Sequence, residues 1–591
     1  MESETKNLVG QSRIPLLNWL PSYSKALLSG DIMAGSIVAI VLLPQAMAYA
    51  MLAGLPPQIG LYSCVLPILL YAALGSSRTL AVGPVGLMSL MVGEVIGGLN
   101  LSSGADVLFV AVSLALLSGG LLVLMFVLRF GSIVNFISHP VLSGFTSAAA
   151  LIIGVSQLKQ MLGLDMPRAA HFYETTINLV NAAHTINPAT AVLGIAGIAV
   201  ISGIRTPVLN RFLVGLLPKL LYAVVSKSGP LIAVIGGTVF VWVFELDRTS
   251  GVTIVGEIPS GLPRLSFPRG DWEMFVQLLP MATVIAIVGF LESVSVAKAL
   301  ASKKRQKIDA NQELLALGCA NIGAAFSGGY PVAGGLGRSM VNFSAGANTQ
   351  LASVLTALLI AFSLIFLTPL LYYLPRAVLA AIIIVAVFGL FDLKTLKHVW
   401  EYDKAEAACL LVTFFAVLII GIEWGILLGA LVSIGIHLQR SSEPHIAIVG
   451  RVGNTEHFRN IERHSVTTCS RVIAMRVDEN LYFANTSFLE DYIMALIADN
   501  QQAKHLVLIC SAVNKIDSSA LELLDTLIER LRYVGVNLHL AEVKGPVMDQ
   551  LKKTSFLVRL QPGQVFLSTH VAMQTLDSGQ NFTTDPDFSS E

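Results

Sequence analysis

The chain has 591 residues, 54% of them hydrophobic and 13% charged, and its formal net charge is +0. Soluble proteins average about 25% charged residues, so this composition points to a membrane protein with several spans. The balanced charge offers nothing to a nucleic-acid partner. The cysteines Cys64, Cys319, Cys409, Cys469 and Cys510 are scattered without a CxxC pair, and no nucleophile–base–orienter set or phosphate loop is visible. The chain is therefore expected to be neither an enzyme nor a metalloprotein and to need no cofactor.

Residues 1–31 form a polar leader with no cleavable signal peptide, expected in the cytosol. No charge occurs from Ile32 to Ser77, room for two spans split near Gly54–Pro57. A third segment, Thr79 to Gly98, is broken by Gly83-Pro84-Val85-Gly86. Further segments run over about 107–128, 133–162, 189–204 and 230–244, completing a first half over 32–246. A polar connection, 247–274, is expected outside the cytosol. The second half, 275–438, begins with a segment carrying Glu292 and includes a second broken stretch around Pro331, for about fourteen segments in all. With the N-terminus inside, the basic clusters Arg205/Arg211/Lys219, Lys303/Lys304/Arg305/Lys307 and Lys394/Lys397 all fall on the cytoplasmic side, as does the C-terminus.

Charged residues return after Arg440. Short apolar runs at Val472–Val477, Leu506–Cys510 and Val536–Ala541 read as strands, alternating with amphipathic helices at Ser487–Ile497 and Ser519–Leu531. This predicts a cytosolic α/β domain over 439–576, followed by a polar tail, 577–591. At its Ile516 to Ala520 junction, Ser519 with Glu522 has the S-x-x-E spacing of a helix capping box. The sharper alternative is phosphorylation of Ser518 or Ser519.

The two broken segments carry the functional argument. Helices do not run through Gly328 to Ser339, which holds five glycines, Pro331 and Arg338. Within lipid, a broken backbone survives only where protein or a watery cavity surrounds it. The helix that restarts after the break aims its free amides and positive dipole end into that cavity, a fit for an anion. Gln45 and Pro84 are 39 residues apart, as are Glu292 and Pro331, and seven segments per half is an odd number. That is the arithmetic of an inverted-repeat transporter.

Amides around Val85, Gly86 and Leu87, and around Leu336, Gly337 and Arg338, are the expected anion holders, with Arg338 adding a positive charge. Gln45 and Tyr49 share one helix face. Glu292 is the sole acid between Glu273 and Asp309, a candidate proton carrier, or else one half of an ion pair with Arg338 or Lys298. A sodium ion would need several oxygens, and Ser293 and Ser295 are the nearby side-chain sources.

Leu43 to Ser63 (LPQAMAYAMLAGLPPQIGLYS), Gly75 to Met91, Phe290 to Ile322 and Gly334 to Asn342 resemble the sulfate permease (SulP) family of anion transporters. The C-terminal domain resembles the STAS domain, named for sulfate transporters and anti-sigma factor antagonists. The resemblance implies a polytopic α-helical fold of about fourteen segments in a 7+7 inverted repeat, with core and gate domains plus a cytosolic α/β STAS domain. It also implies a homodimer in the cell membrane. The implied anion site comprises Gln45, Tyr49, Val85, Glu292 and the backbone of Leu336 to Arg338. Gly337 stands where other relatives have a serine, so a hydroxyl contact from that position is lacking.

The resulting expectation is a secondary transporter of a small inorganic anion, favouring sulfate driven by H+ rather than Na+. Sodium-coupled bicarbonate or proton-coupled dicarboxylate transport is the alternative. An anion channel or a membrane-anchored signalling protein ranks lower. A regulatory protein or a nucleotide is the expected partner of the STAS domain.

Overall fold

The computed structural model describes residues 14–99, 104–135, 138–166, 172–204, 206, 228–263, 265, 272–389, 391, 393–577 and 583–584. The chain forms two compact units, Met1–Ser433 and Ile434–Glu591. The first is helical, and among the described residues five of its helices are long and apolar enough to cross a membrane.

In chain order these elements begin with α1 (Lys25–Leu52), α2 (Pro57–Tyr62), α3 (Leu66–Leu74), β1 (Val82–Gly83) and α4 (Gly86–Gly98). Then come α5 (Gly104–Val127), α6 (His139–Leu162), α7 (Phe172–Asn181), α8 (Pro188–Gly203) and α9 (Gly229–Phe244). The second half holds α10 (Trp272–Lys304), α11 (Ala310–Phe326), β2 (Ala333–Gly334), α12 (Leu336–Ser344), α13 (Leu351–Phe366) and α14 (Arg376–Phe388). Next come α15 (Leu393–Tyr402), α16 (Lys404–Ile420) and α17 (Ile422–Ser442), the last running past Ser433, where the first unit ends.

Helix α1 starts inside the expected leader, at Lys25, and takes in the buried Asp31. A carboxylate is tolerated there because Thr349 donates to it through both its amide (3.0 Å) and its hydroxyl (2.7 Å), and Tyr23 donates at 3.2 Å. Helix α6 begins at His139 rather than near Ile133, because Pro140 sits in its first turn, where a missing amide costs nothing. The second segment is two short helices, and α7 and α15 are helices absent from the sequence reading. Arg205, Arg211 and Lys219 lie outside the described residues.

Small residues let the helices approach closely. Where α5 meets α11, a Cβ on Gly119 would sit 2.8 Å from the Gly318 carbonyl oxygen. The outer faces carry Val239, Trp242 and Phe366, each about half exposed or more, as a lipid-facing surface requires.

The second unit is built on an eight-stranded sheet. Its strands are β3 (Ile446–Arg451), β4 (Phe458–Asn460), β5 (Thr467–Thr468), β6 (Val472–Val477), β7 (His505–Ile509), β8 (Asn537–Ala541), β9 (Val565–Phe566) and β10 (Thr583–Thr584). Strands β6, β7, β8 and β9 run parallel, while β3 pairs antiparallel with β6. Helices α18 (Thr486–Asp499) and α19 (Ser518–Tyr533) make the crossovers, and α20 (Gly545–Leu551), α21 (Phe556–Leu560) and α22 (Thr569–Leu576) complete the domain.

The S-x-x-E capping box is corrected here. Asp517 is the cap of α19, and its Oδ1 accepts from the Ala520 amide at 2.9 Å. An aspartate two residues earlier reaches the free amide first, which leaves Ser518 and Ser519 exposed in the first turn.

Candidate anion site

The two breaks meet each other. Up to Val85 and Gly335 the chain is extended, not helical, and β1 pairs antiparallel with β2, Val82 opposite Gly334 and Gly83 opposite Ala333. From this crossover α4 and α12 depart. Their N-caps, Val85 (φ −132, ψ 150) and Gly335 (φ −89, ψ 128), are both extended. The first helical bonds run from Ser89 N to Val85 O and from Ser339 N to Gly335 O. The amides of Gly86, Leu87 and Met88, and of Leu336, Gly337 and Arg338, thus fall outside the helical ladder.

Arg338 holds the crossover together. Its Nε and Nη2 donate to the Ala81 carbonyl at 3.2 Å each, and its Nη1 donates to the Pro84 carbonyl at 3.0 Å. It is 5% exposed and, among the described residues, pairs with no carboxylate. The ion pair between Glu292 and Arg338 or Lys298 that the sequence left open does not form. Gly83, at φ +153, permits the close approach, since a Cβ there would stand 3.3 Å from Arg338 Nη2.

Hydroxyls and one amide side chain lock the remaining backbone. Ser339 Oγ accepts from Ala81 N at 2.9 Å, and Ser293 Oγ accepts from Gly334 N at 2.8 Å. Asn321 accepts from Val332 N and donates to Val332 O. The Tyr330 and Ser89 hydroxyls are 2.9 Å apart. The sequence named Ser293 only as a possible sodium ligand and missed the others, although Asn321 left a signal as an amide in an otherwise apolar segment.

A cavity of about 360 Å³ opens at the two helix starts. Gln45, Tyr49, Val85, Gly86, Glu292, Leu336, Gly337 and Arg338 all line it. Thr146 and Ile153 of α6 and Val385 and Val387 of α14 contribute the opposite wall, which the sequence reading did not name. Gly86 lets the Tyr49 ring lie against the start of α4, with 3.3 Å to the position a Cβ would take. Glu292 presents a buried Oε2 without a hydrogen-bond partner. A polar oxygen left so is costly unless a proton or ligand supplies the contact. Ser518 and Ser519 belong to the other unit and are no part of this site.

Two helix N-termini, an arginine and an unsatisfied carboxyl around one cavity mark a multi-pass helical membrane protein with a cavity suited to an anion. Residues 28–413 match the sulfate permease family, and residues 464–572 match the STAS domain. The chain belongs to the sulfate permease family, a family of transporters rather than enzymes. Among its relatives, sulfate transporter 4.1, chloroplastic, of Arabidopsis thaliana is 36% identical over 572 residues, 95% of this chain and 82% of that protein. The fold is that of the murine Solute Carrier 26 family member A9 anion transporter in its inward-facing state. The TM-score is 0.84 at 24% identity, over 96% of this chain and 94% of that one. The transmembrane domain of a cyanobacterial bicarbonate transporter, BicA, aligns with TM-score 0.57 and 23% identity over 70% of this chain and 99% of its own.

Proposed function

We propose that the protein is a proton-coupled sulfate transporter working by alternating access. The observation that carries this is the meeting of α4, α12 and Arg338 with the unpartnered Glu292 oxygen in one cavity. The free amides hold the oxyanion while Arg338 keeps both helix starts in register. A proton on Glu292 satisfies its Oε2 and offsets part of the substrate charge, linking the two loads. The names of its relatives favour sulfate.

Proton coupling is favoured over sodium by the state of the nearby oxygens. Ser293 Oγ already donates to Gly289 O at 2.5 Å and accepts from Gly334 N, and Ser295 is exposed. Neither nearby serine is thus well placed to join Glu292 around a sodium ion, which takes several oxygens.

The proposal extends to an inverted 7+7 repeat, a homodimer, and both termini on the cytoplasmic side of the cell membrane. It assigns the STAS domain to regulation by a protein or nucleotide, with Ser518 and Ser519 as phosphorylation candidates. Radiolabelled sulfate uptake into proteoliposomes under a proton gradient, a sodium gradient or neither is the test. Uptake driven by the proton gradient and competed by selenate is the expected result. Sodium-driven uptake would refute the coupling, and no sulfate uptake by folded protein would refute the substrate in favour of bicarbonate or a dicarboxylate.

A further inference from the structure

A second cavity, of about 300 Å³, lies on the same four helices as the anion site, about one turn further along each. On α1, α4 and α6 it lies C-terminal to the site, at Met51, Leu90 and Ser156. On α14 it lies N-terminal, at Leu379. With the N-terminus cytoplasmic, this is the outer side.

Among the described residues its charged lining is Lys159, Arg376 and Glu94, one cation in excess, joined by the neutral donors Gln157 and Gln160. Arg376 is held at the rim from outside the helix bundle. Its amide donates to Thr253 O at 3.0 Å, its Nε donates to Ile254 O at 3.2 Å, and Ile254 bridges to Pro375. Those contacts fix the guanidinium and leave both terminal nitrogens without a hydrogen-bond partner among the described residues. Lys159 Nζ is likewise steadied, by the Met166 carbonyl. A cleft of one net sign with apolar walls concentrates its counter-ion. Two parallel N–H groups on a fixed guanidinium suit the edge of a tetrahedral oxyanion.

We infer that this vestibule is a second anion site, a docking station where a divalent oxyanion is captured on Arg376 before it reaches the half-helix site. The inference rests on the transport reading above and adds a residue and a side of the membrane to it.

The test uses the full-length protein in proteoliposomes of measured orientation, with sulfate flux recorded from each face. Arg376→Gln is expected to raise the KM at the outer face about tenfold relative to the KM at the inner face, the loss of about one charged hydrogen bond. Arg376→Cys, labelled from outside with a cationic or an anionic methanethiosulfonate, separates charge from packing. The cationic label is expected to lower the outer KM and the anionic label to raise it. Equal effects of the two labels, or an equal change at both faces, would overturn the inference and leave Arg376 a tether for residues 253–254. Wild-type flux together with an unchanged outer KM in Arg376→Gln would overturn the inference alone. No flux in the wild type would overturn the transport reading and this inference with it.

Discussion

Glu292 and Glu313 lie on consecutive helices, α10 and α11, and both are acids placed deep in an apolar unit without a salt-bridge partner among the described residues. Their surroundings are opposite. Glu313 is 0% exposed and accepts four hydrogen bonds, from the Tyr71 hydroxyl (2.7 Å), Ser76 N (2.8 Å), Ser76 Oγ (2.8 Å) and Ser77 N (3.1 Å). Glu292 faces the cavity at the starts of α4 and α12 with Oε2 unbonded. A buried carboxylate with both oxygens engaged ties α3 and its following loop to α11. One with an open oxygen is poised for a ligand or a proton. Burial alone does not distinguish a structural acid from a working one; the count of donors around it does.

That contrast can be broken at several points. The largest effect is expected from Glu313→Ala, which strands the Tyr71 hydroxyl and the Ser76 and Ser77 amides. A loss of about 3–5 kcal/mol follows, read as a lower melting temperature in detergent; a stable variant would remove Glu313 from the structural class. Arg338→Lys gives up the fork that spans the Ala81 and Pro84 carbonyls. About 3 kcal/mol of transition-state and site organisation is at stake, so sulfate uptake should fall about 100-fold.

Ser293→Ala removes the acceptor of Gly334 N and should cost about 1–2 kcal/mol; thermal melting checks it. Glu292→Gln should move stability by only about 0.5 kcal/mol, since no protein partner is lost, yet abolish the dependence of uptake on a proton gradient. A variant that melts like Glu313→Ala, or keeps its proton drive, would erase the contrast.

The STAS domain offers a titratable group of the satisfied kind. Gln564 N donates to His539 Nδ1 at 3.1 Å, so Nε2 carries the hydrogen that His505 Nδ1 accepts, also at 3.1 Å. Burial, reinforced by His505, pushes His539 down to about 4 from an ordinary 6.5. The unfolded chain therefore binds a proton between pH 6.5 and 4 that the folded chain refuses, and stability falls as pH falls through that window. Hydrogen exchange of β7 and β8 in the full-length protein, corrected for its intrinsic pH dependence, should show lower protection at about pH 5 than at about pH 7. His539→Leu should lose that sensitivity.

Much of the architecture was legible in the chain. Apolar runs of membrane length, the Pro and Gly breaks and the period-two runs after Arg440 are all local signals. The residues singled out around the two breaks, Gln45, Tyr49, Val85, Gly86, Glu292, Leu336, Gly337 and Arg338, line one cavity. What was not legible came from partners far away in sequence. Asp31 reads as leader until Thr349 satisfies it, and Ser519 reads as a cap until Asp517 takes the amide. Glu313 attracts no notice until residues 71–77 close over it.

Sequence alone determined where helices must stop, because missing amides, absent side chains and buried charges act within a few residues of themselves. Tertiary structure alone decided what Arg338 does. A charge at a helix start reads as an anion ligand, and only the antiparallel pairing of β1 with β2 brings the Ala81 and Pro84 carbonyls to its guanidinium. The same holds for the two acids. Their chemistry is identical in the chain, and the number of donors that folding carries to each one separates a satisfied acid from an unsatisfied one.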